Sequence, residues 1–326
     1  MADSVPTLFL IGMLIWNMLE GYEYWVSAVM ESRMPEIIID LLADWCEMQR
    51  AELIKMGYAL RPNETPESIS LAFYNVQRRV ISPQPRSVAQ SRELNCPYEL
   101  RKGLDDVLKK ALKGLDLRPH QSKSLLQANY NDALLNHWRI HHFHLGTKPQ
   151  PSKPDFVERT GPVLFAYVTE AEFYAIDVLE HGGWARRRLL EIIYRNWPKL
   201  IERYRVKGAL GLMTTPSDAD IKRLRSAHIL SATQIDGMVY CPPGGGCSAS
   251  GISVEVVLQH DSVCGIFSIL EDYVRQNIGK LVERARTELR RMMMAPFHFK
   301  LKLVAAERVE LVEANSGSTF PFILNP

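Results

Sequence analysis

The sequence predicts an α+β protein with a helical N-terminal region, a central small antiparallel sheet packed on helices, and a C-terminal α+β unit. Apolar residues recur at helical spacing through much of residues 1–130. Residues 131–213 contain short alternating or wholly apolar runs separated by turn residues, a pattern that is typical of a hairpin-rich sheet. Residues 214–326 combine patterns of both kinds. We therefore expect three segments with these boundaries.

The composition is typical of a soluble globular protein of the cytoplasm. Of the 326 residues, 46% are hydrophobic and 23% are charged. The five cysteines include no CxxC pair, which argues against a disulfide framework or a cysteine zinc ribbon. The apolar run Thr7–Leu19 is shorter than the roughly 20 residues that span a bilayer. We expect a buried or partner-covered helix there, and no stable membrane insertion.

Charge is distributed unevenly along the chain, although the formal net charge is only +2. Residues 79–213 carry 22 Lys and Arg against 14 Asp and Glu, whereas residues 1–78 carry 5 against 11. An excess of positive charge attracts polyanions such as the phosphate backbone of a nucleic acid. The basic middle of the chain therefore favours RNA as a partner.

The N-terminal segment is predicted to be helical, with one extended connector. Ile37–Ile39 and Leu53 fit a single helical pattern, and Thr65–Ser68 can open a second helix. Arg78–Arg86 contains two prolines and three arginines, which favours an extended segment on the surface. Tyr98–Leu115 has apolar residues on one side and basic residues on the other, as in a solvated amphipathic helix.

A histidine-rich strand carries the strongest chemical signal in the sequence. Three of the nine histidines lie within four positions of the alternating run Trp138–Gly146. Side chains alternate across a strand, so His142 and His144 share one face, and Phe143 and Leu145 share the other. The bulky apolar pair favours the core side. We therefore expect both His142 and His144 to face a cleft or solvent.

A hairpin follows this strand and brings further candidate residues. Val163–Val168 and Phe173–Leu179 are apolar runs joined by a short turn, and they predict two adjacent strands. Arg159 precedes the first of them and His181 follows the second. A helix over residues 184–204 is expected to pack on this sheet, with three consecutive arginines toward its outer side: Arg186, Arg187 and Arg188.

The C-terminal segment is predicted to contain helices, a glycine-rich loop and a closing hairpin. Ser217–Asp220 caps a helix through Leu230, and a long helix covers roughly residues 263–293. Phe297–Val304 and Val309–Glu313 predict the hairpin. The remaining loop contains Gly244, Gly245 and Gly246 between predicted strands at Met238–Tyr240 and Ile252–Leu258. No Lys-Ser/Thr follows Gly246, so the loop is not a P-loop. Two interpretations remain for it: a hairpin loop, or a flap that grips a ligand.

Four residues of the central segment are expected to converge: His142, His144, Arg159 and His181. Neighbouring strands lie only about 5 Å apart, so such groups can meet on one sheet. Two imidazoles can remove and donate protons near neutral pH, and an arginine can stabilise negative charge on a phosphorus oxygen. This set predicts metal-independent cleavage of RNA, with no cofactor and no metal, and RNA contacts from Arg139, Arg186, Arg187 and Arg188.

The pattern of His142, His144, Arg159 and His181 resembles the RelE-type ribonuclease toxins, over about residues 138–204. The resemblance implies an endoribonuclease that acts as a bacterial toxin or as a phage-defence effector, with RNA as substrate and a protein partner or antitoxin. That family is much smaller, and its catalytic residues vary. The additional N-terminal and C-terminal segments would then serve recognition or inhibition.

Two other interpretations stay open from the sequence. In the first, His142, His144 and His181, or an acidic residue such as Asp177, bind Zn²⁺ and activate water. The H-x-H spacing resembles the first-strand motif of amidohydrolase barrels, but the repeating βα units of that fold are missing. In the second, the chain is a non-catalytic binding or assembly protein.

Overall fold

The computed structural model of the chain describes residues 35–183, 185–305 and 308–323. The predicted helix at Thr7–Leu19 lies outside these described residues. Within them, no helix combines the length and the apolar character that crossing a membrane requires.

The α+β class is confirmed, since the described residues form nine α-helices and twelve β-strands. The helices are α1 (Leu41–Lys55), α2 (Pro66–Arg79), α3 (Arg101–Lys113), α4 (Ala133–Trp138), α5 (Arg188–Asn196), α6 (Lys199–Glu202), α7 (Asp218–Ser226), α8 (Val254–Gln276) and α9 (Ile278–Thr287). The strands are β1 (Ile37–Ile39), β2 (Ser87–Gln90), β3 (Ile140–His144), β4 (Pro149–Gln150), β5 (Lys153–Val157), β6 (Pro162–Val168), β7 (Glu172–Glu180), β8 (Thr233–Ile235), β9 (Met238–Tyr240), β10 (Phe297–Ala305), β11 (Arg308–Glu313) and β12 (Ser318–Ile323).

These elements belong to two compact units, neither of which is a single continuous stretch of chain. The described part of the first unit comprises residues 35–52, 64–67 and 259–323, and the second comprises residues 53–63 and 68–258. The boundaries of these two units differ from those of the three segments predicted from the sequence, which are 1–130, 131–213 and 214–326.

The central sheet of the second unit has the strand order β2-β7-β6-β3. The histidine strand β3 pairs antiparallel with β6, and β6 pairs antiparallel with β7, as the alternation and the hairpin predicted. The short strand β2 adds a parallel edge beside β7. It directly follows the proline-rich connector, which delivers the chain to that edge.

Both faces of the central sheet are buried. On one face, Ile140 and Phe165 pack with Leu189 and Ile193 of α5. On the other face, Phe143 and its neighbours pack against apolar residues of α3. Burying each such side chain stabilises the fold by about 1.5–3 kcal/mol, which explains why β6 is apolar at every position.

The helix predicted over residues 184–204 is two shorter helices. α5 ends at Asn196, and α6 begins only after Pro198. Proline has no backbone N–H and clashes with the preceding turn, so a continuous helix cannot pass through this position. The apolar residues of α5 still recur at helical spacing and face the sheet.

The sheet of the first unit has the order β1-β10-β11-β12. Its β10–β11 hairpin is the one that the sequence predicts, and β12 extends it. The helical prediction for Ile37–Ile39 is wrong, because these residues form β1 and pair in parallel with Phe297–Phe299. A run of three β-branched residues is too short to distinguish strand from helix by periodicity alone.

The glycine-rich loop packs against the C-terminal end of α4. The backbone N–H groups of Gly244 and Gly246 donate to the carbonyl oxygens of His137 and Asn136, each at 2.9 Å. A Cβ on Gly244 would lie 2.3 Å from the Asn136 oxygen, so glycine is needed for this close approach. The strand predicted at Ile252–Leu258 is wrong, since α8 begins at Val254 and leaves no hairpin around the loop.

Candidate active site

The strand register explains how the predicted site residues meet. His144 is the last residue of β3 and lies opposite Val163 of β6, which in turn lies opposite Leu179 of β7. His181 directly follows β7, and its N–H donates to the Gly161 carbonyl at 2.7 Å, just before β6. The end of β3 and the end of β7 are therefore at the same end of the sheet.

Three imidazoles form a compact histidine cluster, consisting of His142, His144 and His181. The rings of His144 and His181 are stacked, with centroids 5.6 Å apart and an angle of 20° between their planes. The His142 ring lies 6.3 Å from each of the other two, almost perpendicular to both. The convergence expected from the sequence is thus present in the structure.

Arg159 and Thr160 complete this cluster through hydrogen bonds to the imidazoles. Arg159 Nη2 donates to His181 Nε2 at 3.2 Å. The Thr160 backbone N–H donates to His144 Nδ1, also at 3.2 Å. A nitrogen that accepts a hydrogen bond carries no proton, so the neutral His144 ring holds its proton on Nε2. That buried Nε2 has no hydrogen-bond partner among the residues that the structure describes.

The expected exposure of His142 and His144 is wrong. The His142 side chain is 9% exposed and that of His144 only 1%, whereas Arg159 and His181 lie at the surface. The cause is the segment before β6, which passes directly over the end of β3. A Cβ at Gly146 would lie only 2.2 Å from the Glu158 carbonyl oxygen, so glycine at this position permits the close approach.

Burial and nearby positive charge lower the pKa of every imidazole in the cluster. Desolvation is the largest cause in each case, and the positive charge of Arg159 adds to it. The pKa of His144 is lowered to about 3. Asp132 acts in the opposite direction and raises the pKa of His142. The free protein therefore holds neutral imidazoles near pH 7, and a bound anion would raise their pKa values.

A small polar cavity of about 20 Å³ lies beside His142. Its lining includes Gln121, Tyr130 and Asp132, which the sequence analysis did not single out. It also includes Arg79, which was expected in an extended surface segment but is buried at the end of α2. The carboxylate of Asp132 caps α4 by accepting the N–H groups of its first turn. The available signal was a run of polar residues, Asn129–Asp132, which is separated by seven residues from the start of the histidine strand at Ile140.

The four arginines predicted to bind RNA are not part of the histidine cluster. Three of them form ion pairs with carboxylates: Arg139 with Glu255, Arg187 with Glu191, and Arg188 with Asp177. Arg186 is half-buried close to Gly183. Asp177, the acidic alternative ligand, also accepts hydrogen bonds from the backbone of Asn95 and Val178. Within the described ranges, no group of three His, Cys, Asp or Glu residues is arranged to hold a metal ion.

A larger cleft of about 630 Å³ lies elsewhere in the second unit. It is lined by both signs of charge, and its cations are largely engaged. Arg118 forms a two-pronged pair with Asp116, and Lys110 contacts both Asp106 and the buried His120. The Nδ1 of His120 lies 2.9 Å from the His144 carbonyl oxygen, which ties this cleft to the end of β3.

Comparisons with family models, with curated proteins and with solved structures found no match for the chain. The function must therefore be argued from the site itself.

Proposed function

We propose that the chain is a metal-independent endoribonuclease that uses histidine general acid–base catalysis. The observation that carries this proposal is the convergence of three imidazoles and one guanidinium at one end of the central sheet. Clusters of basic groups that lower each other's pKa form stable sites for anions, because a negative charge relieves their repulsion. A phosphodiester supplies that charge.

The reaction needs two proton transfers on opposite sides of one phosphorus atom. The 2′-hydroxyl oxygen of the ribose attacks the adjacent phosphorus, a new P–O bond forms, and the P–O bond to the 5′-oxygen breaks. One imidazole takes the 2′-hydroxyl proton, and another gives a proton to the departing 5′-oxygen. A 2′,3′-cyclic phosphate and a 5′-hydroxyl are the products.

His142 and His181 suit the two proton-transfer roles. Their ring centroids are 6.3 Å apart, and an imidazole nitrogen works on an oxygen about 3 Å away. Both rings can therefore reach oxygens of one phosphodiester that binds beside them. Arg159 lies on the exposed side of His181, where its guanidinium can stabilise charge on the non-bridging oxygens. The Nε2–H of His144 supplies a further donor from the buried side.

RNA would first meet the exposed residues of the cluster. Arg159 and His181 are exposed, while His142 and His144 lie beneath them. A shift of the segment Glu158–Thr160, which crosses the end of β3, would be needed to open the buried imidazoles to a phosphate. The remaining Arg186, together with the basic excess of residues 79–213, would attract the RNA backbone over a longer range.

In its cellular role, the protein would be a toxin or a phage-defence effector of a bacterial cytoplasm. This part of the proposal rests on the resemblance of residues 138–204 to RelE-type ribonucleases. The rest of the chain would then recognise RNA, a trigger or an antitoxin. A protein partner that covers Arg159 and His181 would inhibit the enzyme.

The experiment incubates the purified full chain with total RNA, with and without excess EDTA. We expect cleavage in both conditions, fragments ending in a 2′,3′-cyclic phosphate, and a loss of roughly 100-fold or more in His181→Ala and Arg159→Ala. His181 and Arg159 are exposed, so these variants should retain the fold.

His228→Ala serves as the matched control, since His228 lies outside the histidine cluster. It should cleave as the wild type does. Cleavage that EDTA abolishes would favour the metal-dependent interpretation instead. No cleavage in any condition would leave the binding or assembly interpretation.

A further inference from the structure

The 20 Å³ cavity beside His142 has the size and the chemistry of a water site. A cavity needs about 10–15 Å³ to accept one water molecule, so this one has room for about one water. Its walls are polar on several sides, with Tyr130, Asp132, Gln121 and His142 among the lining residues.

The lining of the cavity contains hydrogen-bond acceptors, which a bound molecule with donor groups would satisfy. Gln121 donates through Nε2 to the Arg79 carbonyl at 2.9 Å, while its buried Oε1 has no partner among the described residues. Asp132 presents a carboxylate, which only accepts. Arg79 already donates to the carbonyl oxygens of Asn75, Ser124, Gln127 and Ala128. Gln121 and Asp132 thus bring two acceptor groups to the lining of one small cavity, which suits the two protons of a water molecule.

The fold brings Asp132 to His142 through a sharp reversal between α4 and β3. Arg139 joins the two elements in the left-handed conformation, with φ = 56°. The short helix therefore runs back along the edge strand, and its N-cap residue lies near the middle of β3. Asp132 Oδ1 caps the helix by accepting from Leu134 and Leu135 N–H, each at 3.1 Å. Both capping bonds use Oδ1, and Asp132 also lines the cavity.

We propose that this cavity binds one water molecule linking Asp132 to His142, and that Asp132 is the positioning residue for that imidazole. The Asp132 carboxylate favours the protonated form of His142. In the proposed reaction, His142 adopts this form when it takes a proton from the 2′-hydroxyl. The water also gives a mostly buried ring a route for exchanging that proton. The catalytic part of this inference rests on the proposed ribonuclease function, whereas the water and the charge coupling do not.

Several other groups act on the His142 charge, and the test must separate them from Asp132. From the end of β7 and the segment before β6, His181 and Arg159 oppose protonation. The remaining ionisable neighbours are His144 on its own strand and, around the cavity, Arg79, Tyr130 and His141.

The substitution Asp132→Asn isolates the charge. Asparagine is as good an N-cap as aspartate, so α4 keeps its cap and only the negative charge is lost. We would follow the histidine ring signals by NMR as a function of pH, in the full chain without RNA. The titrations of His142 and His141, both of which Asp132 influences, should move to lower pH. That of His181, which is influenced by burial and Arg159, should stay in place.

Asp155→Asn is the control, because it removes an exposed carboxylate of the same unit. It should leave every histidine titration and RNA cleavage unchanged. A crystal structure of the wild type should show one water within hydrogen-bond distance of Gln121 Oε1. In the cleavage assay, Asp132→Asn should lower kcat by roughly 10-fold or more with little change in KM, and shift the acidic limb of the pH profile downward.

The two proposals fail in different ways. If the wild type cleaves no RNA but His142 and His141 shift in Asp132→Asn, the ribonuclease function is wrong and the charge coupling of Asp132 to His142 stands. If RNA is cleaved and the two titrations do not move, the assignment of Asp132 is overturned. Equal shifts of all histidines would also overturn it, since they would report a general structural change.

Discussion

At the scale of single residues, the members of the histidine cluster differ in their exposure to solvent. His142 and His144 are held by packing, and the pKa of His144 is lowered to about 3 chiefly by desolvation. His181 is exposed, and Arg159 adds to the lowering of its pKa. Arg159 thus adds to the lowering of all three imidazole pKa values, and in the proposed reaction it would also contact the bound phosphate.

Arg159→Gln should therefore move the titration of His181 to higher pH. The substitution removes a positive charge whose side chain donates to His181 Nε2 at 3.2 Å, and glutamine can still donate a hydrogen bond. Histidine NMR across pH 4–8 would measure the shift, with Arg203→Gln as an exposed control elsewhere in the unit. A His181 titration that moves to lower pH, or not at all, would contradict the electrostatic role of Arg159.

At the scale of elements, the packing of α3 on the end of β3 depends on one glycine. Gly103 lies in α3, and a Cβ there would approach the Leu145 carbonyl oxygen to 1.9 Å. The helix carries Leu104 and Val107 into the core that contains Phe143. The helix therefore fixes the position of the strand that carries His142 and His144.

Gly103→Ala should destabilise the protein by about 1–3 kcal/mol, because the added methyl group forces the helix away from backbone atoms. Intrinsic helix propensity would predict the opposite, a gain of up to about 1 kcal/mol. Gly265→Ala in α8 is the matched control, since it is an exposed helical glycine with no atom within 4 Å of the added Cβ. Urea unfolding of both variants should show opposite signs. A stabilised Gly103→Ala would show that α3 can move freely.

Local patterns predicted the elements whose partners are close in sequence. The β6–β7 hairpin and the histidine strand follow from alternation and turn residues, and the convergence of His142, His144 and His181 follows from their pairing. β1 was missed because its partner β10 lies about 260 residues away. The burial of His144 depends on Glu158–Thr160 crossing the end of β3, and the placement of Asp132 depends on the backbone at Arg139. Neither contact has a periodicity that a sequence can display.

At the scale of the whole molecule, buried histidines link folding to pH. His137 and His144 are each 1% exposed, and their pKa values are lowered to about 4 and about 3. Desolvation is the first cause for both, followed by Arg225 for His137 and by Arg159 for His144. In the unfolded chain both imidazoles titrate near their ordinary value of 6.5. Between these limits the unfolded chain binds more protons than the folded protein, so acid favours unfolding.

The contribution of these two residues to the free energy of unfolding is fully present above about pH 6.5. It decreases as the pH falls toward their pKa values in the folded protein. At pH 5, each lowered pKa corresponds to a loss of about 2 kcal/mol, which is large beside a typical free energy of unfolding of about 5–15 kcal/mol. Guanidinium unfolding at pH 7.5 and pH 5.0 should therefore give a markedly lower free energy at pH 5.0. His144→Gln should shrink that difference by about 2 kcal/mol, since glutamine does not titrate. Equal stability at both pH values would mean that folding does not lower the pKa values of these imidazoles.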